Sequence, residues 1–333
     1  MPTLSADALT DEFQRILAEL GFAPEAATEL AGIFVGNTLA GVPSHGVDRF
    51  PRFVARVRAG EVDPAARCDC RLSLGALERW SAHGGAGPLA ARRAMTRATV
   101  LAETHGIGLV ALAETNHWMR GGTYPAEAAE RGFLAVAFTN TVALMPPWGG
   151  TTPRIGNNPL IVAIPGRPVT LVDMAMSLYS MGALERHRRG GRRLDAEGGY
   201  DAEGRPSRDP AAIEATRRLL PAGLWKGSAL AIALDMAASL LSGGLSTVAI
   251  SEDRPAETDV SQVFVAVDLK RLVGDDERDR VLDRIRASVH ASEPVDPRRP
   301  VRLPGEETPE RIRRGLADGV AVDDAVWAEI RAL

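Results

Sequence analysis

Four short apolar runs in the central part of the chain, LSLGALERWSA, GIGLVALAE, GFLAVAFTNT and NPLIVAIPG, constrain the fold more than any other feature of this sequence. Each is bounded by Gly, Asn or Pro and is short enough to be a strand. Between the first two lies PLAARRAMTRATVLAETHG, whose small and apolar residues recur at helical spacing and whose stop signal is Gly106. A later run, SQVFVAVDL, adds another strand. The pattern predicts an α/β fold with a mixed, largely antiparallel central sheet and flanking helices.

The two ends read differently. Leu4, Leu9, Phe13, Ile16, Leu17 and Leu20 carry a mostly helical spacing, and Pro24 opens a second apolar helix ending near Gly41. A turn at Pro43 and Gly46 then leads into an amphipathic helix with Phe50, Phe53, Val54 and Val57 on one side. A charged helix at about residues 274–292 and a short one in DDAVWAEIRAL close the chain. Because chain termini often lie close together, residues 1–71 and 274–333 are expected to form one helical part around an α/β body at 72–273. Two further segments stand out within that body. The stretch from Leu184 to Pro221, rich in Gly, Arg and Asp, predicts a long surface excursion, and WKGSALAIALDMAASLLSGG predicts a buried helix.

Composition removes several classes of function. With 333 residues, 45% apolar and 25% charged, the chain has the makeup of an ordinary globular protein. A formal charge of -4 argues against a nucleic-acid surface, which rests on a basic face, and leaves a small anionic ligand open. The first residues lack a basic start followed by an apolar core, and no run reaches the roughly 18 to 20 apolar residues needed to span a bilayer. A cytoplasmic protein without membrane contact is expected. The two cysteines, Cys68 and Cys70, are too few for a metal site, so no metal is expected.

A dinucleotide fingerprint is imitated at Gly85, Gly87 and Ala90, with Glu114 ending the next strand. A Rossmann reading needs a buried strand running straight into that loop, and LERWSAH is too polar for a central parallel strand. Pro88 suits a first helical turn without any ligand.

The residues able to carry chemistry lie elsewhere. Reduction of a ketone by hydride requires an acid within hydrogen-bond reach of the carbonyl oxygen, and two histidines are candidates. His45 lies in PSHGVDRF at a helix entrance, beside Ser44 and four residues before Arg49, whose guanidinium could grip a carboxylate. A polar helix cap followed by a surface arginine is the plainer alternative. His117 lies in ETNHWMRGGTYP, where a strand runs out into a polar loop. Asp173, in TLVDMAMS, is an acid in an apolar strand-like segment and should have a partner, a histidine being one candidate. Trp225 and Lys226 precede a glycine and an apolar helix, where backbone amides and a cation could meet a phosphate or carboxylate. The basic run from Arg186 to Arg193 reads as a solvated loop, with a guard over cofactor phosphates as the sharper alternative.

Taken together, GVPSHGVDRFPRFV, NHWMRGG, MPPWGG, RIGNNPLIVAIP, VDMAMS, LLPAGLWKGSALAIALDM, SQVFVAVDL, RLPGEE and GVAVDDAVWAEI resemble the malate/L-lactate dehydrogenase family that lacks a Rossmann fold. The likeness runs from end to end and is narrowest toward members that act on a 2,3-diketo sugar acid. It implies a dinucleotide-binding body of non-Rossmann type and a homodimeric, NADH-dependent reductase, with NADPH as the alternative donor. It also implies His45 as proton donor, with Arg49 holding the substrate carboxylate. On proximity and motif alone, Ser44 and His117 are expected to touch a small 2-oxo sugar acid, and Asp173 is expected to support the imidazolium of His45, because a nearby carboxylate favours the charged form. The family's cofactor segments fall on Val169, Thr170, Leu171, Val172, Asp173, Met174 and Ala175, on Trp225 and Lys226, and on Gly305, Glu306 and Glu307. The family pattern leads one to expect histidine where this chain has Glu306. Reduction of another 2-oxo acid or a cyclic imino acid is the nearest rival, and a non-catalytic sugar-acid or nucleotide sensor the rival of a different class.

Overall fold

The computed structural model describes residues 1–253 and 258–333. At its centre is a seven-stranded sheet of β1 (Asp69–Leu74), β2 (Leu77–Ser81), β3 (Ile107–Thr115), β4 (Phe133–Thr139), β5 (Leu160–Ile164), β6 (Thr170–Met174) and β7 (Val260–Asp268). The spatial order is β1-β2-β3-β7-β4-β5-β6, and every neighbouring pair is antiparallel except β2 with β3. The late strand β7 takes the middle place because its run of Val, Phe and Ala can be covered on both faces. β4 shows strict alternation, with Phe133, Ala135, Ala137 and Thr139 buried on one side.

Helices cover both faces. On one, α1 (Ala6–Glu19), α2 (Pro24–Leu39), α3 (Phe50–Arg58), α4 (Gly87–His105) and α5 (Thr123–Glu130) share a single continuous core with Val110, Leu112 and Phe264 of the sheet. Phe13 stacks on Phe50 at 3.9 Å between ring centroids, and Phe34 meets Phe50 edge-on at 5.1 Å. α6 (Met181–Arg189) and α7 (Pro210–Thr216) belong to a lobe at one end of the sheet, and α8 (Trp225–Ser242) lies on the second face, where Ala238 meets Ala111 and Val263. The chain ends with α9 (Asp275–His290), α10 (Thr308–Asp318) and α11 (Asp324–Arg331). Thr3–Leu4 pairs antiparallel with Val320–Ala321, which draws the two termini together. α9 does not join them: Arg286 on it donates to the carbonyl of Pro168, at 3.4 Å, in the turn between β5 and β6.

Three expectations are corrected. The polar stretch after Leu184 is a folded lobe and not a surface excursion, because Leu184, Leu194, Ile213 and Leu219 are buried in a core shared with Leu144, Met145, Met176 and Leu234. The basic run begins as the last turn of α6, not as a loop. α8 buries only one stripe, Gly227, Ser228, Ala231, Leu234, Ala238 and Ser242, while Met236 is 60% and Leu240 77% exposed on the other. Being apolar all round, its sequence could not reveal which side stays open.

The fingerprint-like glycines have a packing explanation. LERWS does form β2, parallel to β3, and its polarity is absorbed by Glu78, which accepts from Arg97 of α4 at 2.6 and 2.9 Å and from Trp80 Nε1 at 2.9 Å. A Cβ on Gly87 would sit 2.2 Å from the carbonyl oxygen of Asn116, so the loop after β3 already fills the entrance of α4. Among the described residues no helix is long and apolar enough to cross a membrane.

Candidate active site

The site is assembled from three segments pressed against one another. The first is the 3-10 turn Pro43–His45. His45 N–H donates to Val42 at 3.0 Å, and the His45 carbonyl accepts from Asn37 Nδ2 at 2.9 Å. Asn37 is itself fixed by the Thr123 hydroxyl at 2.7 Å, and Thr38 Oγ1 accepts from Val47 N–H at 2.9 Å. Both α2 residues are buried, so the backbone carrying His45 is tied to the core on each side. The Ser44 hydroxyl lies 3.2 Å from His45 Nδ1. A hydroxyl can donate to a neutral ring or accept from an imidazolium, so Ser44 serves both protonation states.

The second segment is the loop after β3. Trp118 and Met119 are buried, and Tyr124 Oη donates to the Trp118 carbonyl at 2.5 Å, which anchors the loop. Met119 adopts a positive φ of 63°, and its N–H donates to His117 Nδ1 at 2.9 Å. In the neutral ring this leaves the proton on Nε2. The rings of His45 and His117 stack with centroids 5.7 Å apart and planes 21° apart.

Gly122 does more than mark a turn: its N–H donates to Asp173 Oδ2 at 2.9 Å, and a Cβ there would stand 2.7 Å from the same oxygen. Arg120 Nε lies 3.9 Å from that carboxylate. Burial pushes the Asp173 carboxyl up, against the opposing pull of Arg120 and the Gly122 N–H, and burial pushes the Arg120 guanidinium down. The Asp173 side chain keeps 26% of its exposure because it looks into a cavity.

That cavity, of about 680 Å³, holds Ser44, His45, Arg49, His117, Asp173 and Gly305 in one wall system, with Leu171 and Ala175 beside them. Val169, Thr170, Val172 and Met174 lie outside its wall, as strand alternation requires for those on β6. Trp225, Lys226, Glu306 and Glu307 also lie outside it, although Ala222 N–H, three residues before Trp225, donates to Met176 at 2.8 Å and so holds the entrance of α8 beside the end of β6. Sequence reasoning missed Arg120, although it stands in the NHWMRGG motif, and Gln262; both line the cavity, as do Arg186 and Arg189 of the run expected to be a solvated loop.

These residues fit the dinucleotide that the sequence resemblance implies. β6 is an edge strand, and Leu171 and Asp173 turn their backbone groups away from β5. The Leu171 N–H is taken by Pro304 at 3.0 Å, which leaves Asp173 on the open edge beside the cavity. Gln262 is fully buried and donates through Nε2 to Asn116 at 3.0 Å, while its Oε1 has no partner among the described residues. An amide donor on a ligand would satisfy that acceptor.

Glu306 is occupied otherwise. It lies 2.9 Å from His290 Nε2 and accepts from Leu303 N–H at 2.9 Å, and these contacts, that with His290 first, hold its carboxyl below the usual range. The pair ties α9 to the loop whose Gly305 rests on Leu171. His290→Ala is therefore expected to weaken binding of the implied dinucleotide about threefold through loosening of that loop, the size of a partly exposed ion pair, with kcat kept. Unchanged affinity by fluorescence titration would contradict this role.

A family model described as malate/L-lactate dehydrogenase matches residues 4–331. The chain belongs to this family. The family's fold accounts for the non-Rossmann sheet, and curated relatives in it cover nearly the whole chain. The 2,3-diketo-L-gulonate reductase of Mannheimia succiniciproducens is 48% identical over 99% of each chain, and that of Haemophilus influenzae 47% identical over the same shares. Among solved structures, delta1-piperideine-2-carboxylate reductase from Pseudomonas syringae superposes with a TM-score of 0.88 at 27% identity, covering 100% of this chain and 99% of its own.

Proposed function

We propose that this dehydrogenase-family protein reduces C2 of 2,3-diketo-L-gulonate to give 3-dehydro-L-gulonate, with NADH as donor and NADPH as the alternative, in a cytoplasmic homodimer. The observation that carries the reading is the stacked His45–His117 pair beside Asp173 and Arg120 in one cavity, in a chain nearly half identical to reductases of that substrate.

A nicotinamide held beside the edge of β6 would supply a hydride for C2. The chain's own residues do the rest: His45 delivers a proton to O2, so the carbonyl becomes a hydroxyl, and the neutral imidazole regains its proton from solvent through the cavity. Arg49 holds the substrate carboxylate, and Nε2–H of His117 is placed to orient a carbonyl oxygen. With NADH deuterated at the transferred position, the reading expects the label at C2 of the product by NMR, and label at C3 would contradict it.

Asp173 supports the charged form of His45 from the cavity wall, its carboxylate held by Gly122 and Arg120. A nearby carboxylate raises the pKa of an imidazolium, and a proton donor is lost as pH rises through that value. Asp173→Asn is expected to move the alkaline limb of kcat/KM down by about one pH unit. A profile that stays in place would leave Asp173 without this role.

The likeness to an imino acid reductase supports a second reading, in which His45 protonates a ring nitrogen instead of O2. For the homodimer, the exposed apolar stripe of α8 is the surface we assign to the second copy, since a patch of this kind is otherwise a liability in water. Met236→Lys is the variant expected to yield monomers in sedimentation.

A further inference from the structure

The cavity has a second wall that the reaction does not use. On α6, Gly182, Glu185, Arg186 and Arg189 recur at i, i+3, i+4 and i+7, and all four face the cavity, while Leu184 is buried in the core shared with Leu144 and Met176 and Arg188 pairs outward with Glu214 at 2.6 Å. The same cavity is lined by Asp48, on the 3-10 turn Val47–Arg49 that leads into α3, and by Arg52 in the first turn of α3. The Asp48 carboxyl is pushed up by its burial and pulled down by Arg189 and Arg186, which places these groups near one another. Glu185, itself bound to Arg189 at 2.5 Å, and Asp323 are the acidic neighbours of Asp48 from other elements. Arg186 makes no ion pair among the described residues.

This charged face is anchored at the reaction centre. A Cβ on Gly182 would come within 3.0 Å of Ser44 Cβ, so α6 begins against the residue preceding His45. From there to Arg189 the helix advances about 10 Å at its regular rise per residue, and it carries donors and acceptors of both signs along the way. An apolar substituent or a closed ring would leave them unmatched, whereas a chain of hydroxyl groups can donate to Asp48 and Glu185 and accept from Arg186, Arg189 and Arg52.

We infer that the α6 face and the Asp48–Arg52 edge form a polyol subsite, which reads the hydroxylated tail of the substrate and separates sugar acids from short 2-oxo acids. The inference rests on the proposed reductase activity and adds to it the residues that choose among substrates. Glu185, Arg186, Arg189, Asp48 and Arg52 are specificity-determining residues, and His45 remains the proton donor.

The test compares wild type, Arg186→Met, Asp48→Leu, the double variant and Asp48→Asn, each with 2,3-diketo-L-gulonate and with pyruvate, alongside NADH affinity by fluorescence titration. The double variant is expected to lose about 10- to 100-fold in kcat/KM for the diketo acid, mainly through KM, with pyruvate turnover within about threefold and NADH affinity unchanged. Asp48→Asn keeps hydroxyl hydrogen bonding and is expected to retain most of the activity that Asp48→Leu loses. Where pyruvate turnover is below detection throughout, that Asn-against-Leu contrast decides. Equal losses on both substrates, a matching fall in NADH affinity, or no loss with the diketo acid would overturn the subsite. Wild-type protein inactive on the diketo acid would instead overturn the reductase reading, and the subsite with it.

Discussion

His45→Ala is expected to lower kcat by about a thousandfold while leaving NADH affinity within about twofold, the loss usual for removing a general acid from an otherwise intact site. The separation follows from how the two halves of the site are held. His45 sits on a turn tied to Asn37 and Thr38 of α2, whereas the edge of β6 is fixed by Pro304 and the Gly305 loop. Deleting the imidazole touches only the first arrangement. Loss of cofactor binding together with turnover would mean that His45 holds structure, and the assignment of the proton donor would fall.

Gly46→Ala is expected to cost roughly 3 kcal/mol of stability, the upper range for forcing a methyl into a filled core. The Cβ would stand 2.3 Å from Thr38 Oγ1 and 2.8 Å from both Phe34 O and Thr38 N. It would enter the space of two hydrogen bonds, Thr38 Oγ1 to Phe34 O and Val47 N to Thr38 Oγ1, each 2.9 Å long. α2 has no room to retreat, because Phe34 is wedged against Phe13 and Phe50. Urea unfolding measures the loss. Adding Thr38→Ala removes the nearest contact and leaves the two backbone ones, so the double variant should fall short of the sum of the singles. An unchanged urea midpoint for Gly46→Ala would contradict the close fit.

Much of this was legible in the sequence because the strands announce themselves by length and punctuation. GFLAVAFTNT alternates in the structure as its residues suggest, and the run SQVFVAVDL reads as a strand long before its central place in the sheet can be known. His45 and His117 are accessible because each stands beside turn glycines in a polar motif at the end of a regular element, and Asp173 because a carboxylate in an apolar strand needs a partner. Arg120 was equally visible, three residues past His117, and was passed over because nothing local ties it to Asp173, 53 positions away. The α6 face failed for a different reason. Composition marks Arg186–Arg193 as solvated, and only the spacing of Gly182, Glu185, Arg186 and Arg189 tells which charges share a side. Even that spacing cannot say that the side faces a cavity. The order of strands and the open stripe of α8 were beyond reach altogether, because both depend on pairings distant in sequence.

The most direct test of the central claim is the loss of NADH absorbance on adding 2,3-diketo-L-gulonate, run in parallel with pyruvate, oxaloacetate and a cyclic imino acid. The account predicts turnover with the diketo acid at a kcat/KM at least about tenfold above each of the others, the margin expected where a site is lined to hydrogen-bond hydroxyl groups. Turnover confined to the imino acid or to the short 2-oxo acids would contradict it.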